Sequence, residues 1–388
     1  MSTSFADFGN DLYTGKRSIP VVASRRRFYL GSLVLIVVAL LGLGVQHLNL
    51  GLEFRGGSEF RVATTSVPSG YEKTARDAVG ASEGEQGVNV TLVGNNTVRV
   101  QTEKLTDTDS QQVRGSLAKA FGVPEDNVSA TFIGPSWGAS VSGQALRALV
   151  IFLIAVVLML SIYFRNWKMA LASLVALVHD LVITVGIYAL VGFEVSPATM
   201  IGFLTVLGYS LYDTVVVFDK VRENTNEAFA NGRMTYAQAA NLAVNQTMVR
   251  SINTTVIGLL PITAVLVIGS IFLGPGVLVD LSLVLFVGIL VGAYSSIFIA
   301  TPVLVSLRRK DAAVVDLARR AERTQAKKAR DVAAAEEASA RGEAVPASTL
   351  VGGAAEREEG ETLTGRTVHQ YARSGPRNQP RRTPKSKR

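Results

Sequence analysis

Six stretches of about 20 predominantly apolar residues recur along the chain, at roughly 28–48, 145–164, 169–191, 197–218, 250–270 and 277–305. Each is long enough to cross the ~30 Å hydrocarbon core of a bilayer as a helix. Between the first two stretches the pattern changes. SEFRVAT (58–64) alternates like a strand, and Tyr71–Val79 reads as a helix. VNVTLV (88–93) and TVRVQT (97–102) read as two strands joined at Gly94-Asn95-Asn96, a hairpin signal. From Asp107 onward Val113, Leu117 and Phe121 recur at helical spacing, Gly122 and Pro124 end that helix, and VSATFI (128–133) is a last strand. The order β-α-β-β-α-β is the ferredoxin-like arrangement. The predicted fold is thus a membrane all-α bundle of six transmembrane helices, with one α+β ferredoxin-like domain at 50–140 between helices 1 and 2. Beyond 306 the chain turns polar: a helix is expected within 311–340, and 341–388 lacks hydrophobic periodicity and is expected to be disordered.

Charge orients this arrangement. The net charge is +8, unevenly spread: residues 1–27 carry +3, residues 50–140 carry −3 and the tail from 306 carries +8. The basic N-terminus, Arg165 and Lys168, the group Lys220, Arg222 and Arg233, and the basic tail all fall on one side of the predicted bundle. By the positive-inside bias that side is the cytoplasm, with both termini on it and 50–140 outside. The stretch after Arg25-Arg26-Arg27 reads as an uncleaved anchor, because its apolar core is too long for a signal peptide and no A-x-A-like site follows.

Composition removes several chemistries. The chain has no cysteine, which excludes thiolate metal sites, thiol catalysis and disulfides, and only three histidines, His47, His179 and His369, in separate segments. GNDLYTGK (9–16) has the wrong spacing for a phosphate loop, and Arg17 stands where Ser or Thr would bind magnesium. No metal, no cofactor, no enzymatic reaction and no specific nucleic acid partner is expected; the closing RRTPKSKR could touch anionic membrane lipids or ribosomal RNA, but reads first as a solvated cytoplasmic tail that helps fix topology.

Two carboxylates interrupt the apolar spans. Asp213 lies five residues from the end of the fourth span, ~7 Å along its axis. Asp180, preceded by His179, is eleven residues into the third. Ionisable groups at such depth cost a few kcal/mol and usually face a polar interior or a proton path. Arg250 opens the fifth span, which runs back past the fourth and brings Arg250 to the depth of Asp213. Tyr209 and Tyr212 on one span, Asn253 and Thr254 on the other, are expected to complete a polar seam. Movement of a guanidinium by a few Å would then switch a proton on or off the aspartate; the bland alternative is an Asp–Arg pair that only locks helix packing. Gly288 and Gly292 form a small-xxx-small pair that predicts close helix packing.

GYSLYDTVVVFDKVREN (208–224) resembles the fourth-span signature of the SecF family of protein-export membrane subunits. GLEFRGGSEF (51–60), FIGPSWG (132–138), IYFRNWKMALASLVALVHDLVIT (162–184), VNQTMVRSINTTVIGLLP (244–261) and VGILVGAYSSIFIATP (287–302) resemble further signatures of that family, in order. Glu53, Tyr212 and Lys220 stand where the family commonly has Asp, Asn and Arg. The resemblance implies a partner, SecD, and with it the twelve-span architecture of the resistance-nodulation-division superfamily. It also implies the SecYEG channel as a neighbour, a translocating preprotein as substrate, protons as the energy source and the bacterial plasma membrane as location. It maps a proton-linked aspartate and arginine onto Asp213 and Arg250, with Asp180 a weaker candidate. Gly51, Gly56 and Gly57 are expected to be structural, allowing a tight turn after the first span. Protonation at Asp213 would alter the packing of spans 4 and 5, and the external domain would move relative to the bundle. The other readings are a passive scaffold of the translocon and a small-molecule or lipid exporter of the same superfamily. Against the exporter, such proteins usually carry both repeats and two large external domains in one chain.

Overall fold

The apolar stretches form helices in the computed structural model, which describes residues 5–83, 88–94, 96–103, 105–273 and 276–340. The tail 341–388, expected to be disordered, and Asn95 of the expected hairpin turn lie outside the described residues. The chain starts with α1 (Phe5–Thr14) and the first apolar helix α2 (Arg25–Gln46). A two-residue strand β1 (Asn49–Leu50) and a one-turn helix α3 (Leu52–Arg55) follow, the latter within the glycine-rich stretch.

Next come β2 (Gly57–Ala63), α4 (Tyr71–Glu83), β3 (Asn89–Val93), β4 (Thr97–Thr102), α5 (Asp107–Phe121) and β5 (Val128–Ile133). The four strands make one sheet in the order β3-β4-β2-β5, antiparallel throughout. Strand periodicity places Phe60, Val62, Val90, Val98, Val100 and Val128 on one face, where they form a closed core with Ala75 and Val79 of α4 and Val113 and Leu117 of α5. The other face is polar, carrying Glu59, Arg99 and Gln101. α5 is bounded as its sequence demands: the Thr106 side chain caps its start by accepting from the Asp109 amide, and Gly122, at φ +63, ends it.

The remaining helices are α6 (Pro135–Phe164), α7 (Trp167–Val191), α8 (Pro197–Asn231), α9 (Tyr236–Ile268), α10 (Val277–Ser295), α11 (Thr301–Arg308) and α12 (Ala312–Ala340). A two-residue strand β6 (Glu194–Val195) between α7 and α8 pairs in parallel with β1. Two π-helical segments lengthen the bundle helices: Gly269–Leu273 after α9, and Ser296–Ala300 between α10 and α11. Among the described residues, six helices are long and apolar enough to cross a membrane: α2, α6, α7, α8, α9 with its π segment, and α10 with α11. α7, α8 and α10 bury about half of their apolar stretches, whereas α9 buries only 6%. Both α8 and α9 run well beyond the apolar stretches, to Asn231 and from Tyr236, because nothing in the polar sequence between them breaks a helix until Gly232, at φ +63.

The described residues fold into two compact units, one within 20–220 and 247–308, the other within 5–19, 221–246 and 309–340. The smaller unit packs Leu12, Val221, Ala228, Tyr236, Ala239 and Leu317 into its interior. It fastens the segment after α1 by Asn245, whose Oδ1 accepts from the Ile19 amide at 2.7 Å and whose Nδ2 donates to the Ile19 carbonyl at 3.0 Å.

Candidate functional site

The buried charges lie where α7, α8, α9 and the π segment 296–300 meet. Asp213, 7% exposed, accepts one hydrogen bond on each carboxylate oxygen: Ser251 Oγ of α9 donates to Oδ1 at 2.7 Å, and Ser296 Oγ donates to Oδ2 at 2.5 Å. Asp180, fully buried, accepts on Oδ2 from Ser210 Oγ of α8 at 2.5 Å and from Ser295 Oγ at 2.8 Å. Its Oδ1 lies 3.1 Å from Nδ1 of His179, whose Nε2 is buried without a partner among the described residues. Ser295 and Ser296 are consecutive, yet each serves a different carboxylate. They fall where α10 passes into its π segment, so local helix geometry decides which way each hydroxyl points.

The residues expected to form a seam divide into two groups. Tyr209 joins it, its hydroxyl donating to the Thr254 carbonyl at 3.0 Å. A Cβ on Gly258 would sit 2.4 Å from that hydroxyl, so the contact needs glycine there. Thr254 contributes only its carbonyl, because its own hydroxyl bonds back to Arg250 O at 2.8 Å. Arg250, Tyr212 and Asn253 are exposed, and no ion pair joins Arg250 to Asp213 among the described residues. The expected Asp–Arg contact is therefore replaced by Asp213–Ser251. One residue turns a helix by 100°, and that rotation puts Ser251 inward where Arg250 was expected. Ser210, Ser251, Ser295 and Ser296 are the polar groups that charge patterning did not find. The available signal was two adjacent hydroxyls in the middle of an apolar span, and one three residues before Asp213.

Close helix approach holds the site together. A Cβ on Gly292 would come within 2.9 Å of Ser210 Cβ, one on Gly288 within 2.4 Å of Val206, and one on Gly202 within 2.0 Å of Val284. α8 and α10 thus touch along three glycines, which brings Ser295 and Ser210 to the same carboxylate. At the sheet end, Gly56 (φ +75) and Gly57 (φ +141) make the turn into β2, and a Cβ on Gly57 would lie 2.4 Å from the Thr102 carbonyl oxygen. Gly51 has ordinary φ; its amide donates to Val195 O at 2.9 Å, and a side chain there would crowd Glu53 and Val195. Among the described residues no group of His, Asp and Glu is placed to hold a metal ion.

A family model described as protein export membrane protein SecD/SecF, C-terminal, matches residues 113–310, and the SecD/SecF GG motif matches residues 42–66. The chain belongs to the SecD/SecF family. The protein translocase subunit SecF of Streptomyces coelicolor is 42% identical over 372 residues, covering 96% of this chain and 94% of that protein. The protein translocase subunit SecF of Mycobacterium tuberculosis is 40% identical over 325 residues, covering 81% and 72%. The crystal structure of SecDF, a translocon-associated membrane protein from Thermus thermophilus, aligns with a TM-score of 0.66 at 27% identity over 76% of this chain. The chain spans 39% of that solved chain. The GG-motif match covers Gly51, Gly56 and Gly57, and the SecD/SecF match covers all four serines and both aspartates.

Proposed function

We propose that this chain is the SecF-type subunit of the Sec protein translocation machinery: it pairs with a SecD subunit and uses the proton-motive force to promote preprotein export. The names of its relatives and the partial coverage of SecDF support the pairing. So does α9, whose nearly bare apolar surface suits burial against a second bundle rather than its own. On this reading both termini are cytoplasmic, the bundle lies in the plasma membrane beside the SecYEG channel, and the sheet with α4 and α5 is an external ferredoxin-like domain, as its strand order favours.

The observation that carries proton coupling is Asp213 itself, buried in an apolar helix and held by two hydroxyls, with no cation paired to it among the described residues. A serine hydroxyl accepts from a protonated acid as readily as it donates to the anion, so this pair of hydroxyls suits either form of the carboxyl group. Arg250 stands one position from Ser251, so rotation of α9 by one residue would bring a guanidinium in place of a hydroxyl. A charge moved through the field is worth about 2.3 kcal/mol per 100 mV, enough to bias such a two-state packing. The test follows maturation of a secreted reporter with Asp213→Asn, with the membrane potential present and collapsed. Loss of only the proton-dependent part, with insertion and SecD co-purification intact, is the expected result. Survival of proton-dependent export would make the chain a scaffold at this position.

A further inference from the structure

We propose that the crevice between α2, α7 and α11 binds one anionic phospholipid, its phosphate held by Arg25–Arg27 and one acyl chain lying along the helices. Such binding needs only that these helices cross a membrane, and it does not depend on proton coupling. The crevice has a volume of about 630 Å³ and is lined mainly by apolar side chains, among them Leu33, Ile36, Val175, Val178 and Val303. Tyr29 and Ser32 line the same wall of α2. Arg25, Tyr29, Ser32 and Ile36 follow at i, i+4, i+7 and i+11, one face of α2, so the column of lining residues leads up to Arg25. Eleven residues of helix measure ~16 Å, about the depth of one leaflet's hydrocarbon.

Basic residues gather near the mouth. The start of α2, the start of α7 and the end of α11 meet there: the Tyr29 hydroxyl is 3.4 Å from Ser306 Oγ, and Lys168 Nζ donates to the Leu307 carbonyl at 3.3 Å. Residues 20–30, 165–175 and 300–308 hold six basic and no acidic side chains, which favours a phosphate of net negative charge over a zwitterionic headgroup. Arg26 and Arg27 are exposed, and Arg25, Arg26 and Arg27 form no ion pair among the described residues. At the deep end the wall includes His179. An acyl chain in the crevice would cover that ring's edge and keep water from the His179–Asp180 pair.

The experiment reconstitutes the full chain with its SecD partner in vesicles of phosphatidylglycerol and phosphatidylcholine at about 1:3, where the minority anionic lipid makes selectivity visible. Trace phosphatidylglycerol or phosphatidylcholine carrying an acyl-chain nitroxide reports the motionally restricted fraction by electron paramagnetic resonance. Phosphatidylglycerol is expected to be enriched. Arg25→Gln with Arg26→Gln should lower that enrichment about five-fold per arginine, from the usual attraction of a basic side chain to an anionic leaflet. Because those changes can also disturb insertion, Val178→Trp fills the crevice without altering charge, and should remove the enriched component. Equal restriction of both lipids in the unaltered protein, or enrichment that survives Val178→Trp, would overturn the proposal. So would cross-linking of Val178→Cys to the partner's spans, which would show a protein in the lipid's place.

Discussion

Asp180 and Asp213 are each satisfied by serine hydroxyls, and a hydroxyl differs from a guanidinium in one respect that matters here. It can donate or accept, so it fits both charge states of a carboxyl group with a rotation about one bond. Hydrogen bonds to a charged group contribute roughly 1.5–3 kcal/mol each. Ser296→Ala should therefore destabilise the folded protein by about that amount, read from thermal unfolding in detergent. In an Asp213→Asn background the same change should cost about half as much or less, since the neutral amide bonds more weakly, and a double-mutant cycle isolates the difference. Equal costs in both backgrounds would mean that Ser296 packs and does not solvate charge. The aspartates were legible in the sequence because a charge in an apolar run has few explanations. Their partners were not. Serine is unremarkable in a membrane helix, and around Ser251 the polar residues Thr247, Arg250, Asn253, Thr254 and Thr255 stand on every face of α9, so its rotational phase leaves no trace in the pattern. An error of one residue therefore exchanged Ser251 for Arg250.

α8 and α10 owe their separation to glycine. Gly202, Gly288 and Gly292 each occupy a place where a side chain would overlap the opposing helix, and Gly208 on the same α8 meets nothing within 4 Å. Gly292→Ala is expected to cost about 1–3 kcal/mol, the usual penalty for overpacking, and to weaken the Ser210 contact to Asp180. Gly208→Ala should be neutral or slightly stabilising, since alanine is the better helix former. Thermal melts of the two variants, followed by the fluorescence of Trp137 and Trp167, separate these outcomes; similar losses would show that helix propensity rather than close approach governs both sites. The small-xxx-small spacing of Gly288 and Gly292 already announced this contact, and the strands at 97–102 and 128–133 fell where alternation placed them. The π segments did not show in the sequence, because widening a helix by one residue per turn changes no residue type and shifts the apolar period only over a few positions. α3 was hidden for another reason. Its four residues are framed by Gly51, Gly56 and Gly57, so the stretch reads as turn from its glycines although one helical turn fits between them.

In the larger unit, the sheet meets the bundle where Arg99 and Gln101 reach Glu194, and the segment that leads into the sheet, β1 and α3, is fastened to the bundle at two further places. β1 pairs with β6, Asn49 with Glu194 and Leu50 with Val195. Arg99 of the sheet's polar face makes an ion pair with Glu194, which is also 3.4 Å from the Gln101 amide nitrogen. Gly138 of α6 lies against α3 so closely that a Cβ there would fall 2.5 Å from the Phe54 carbonyl oxygen. A domain free to swing on the bundle would be joined by an exposed linker; here the junction is a parallel strand pair, a partly buried ion pair and backbone against backbone. The sheet should therefore travel with the spans, and any stroke driven by Asp213 should be a motion of the whole subunit against its partner. The absence of native cysteine permits a clean test. Leu50→Cys with Val195→Cys places two thiols on directly paired strands, within the roughly 4.4–6.8 Å between α-carbons that a disulfide spans. Export measured with the bond formed and after reduction is expected to be equal. A loss of export on oxidation, restored by reductant, would show that the β1–β6 clamp opens in each cycle and frees the segment that carries the sheet.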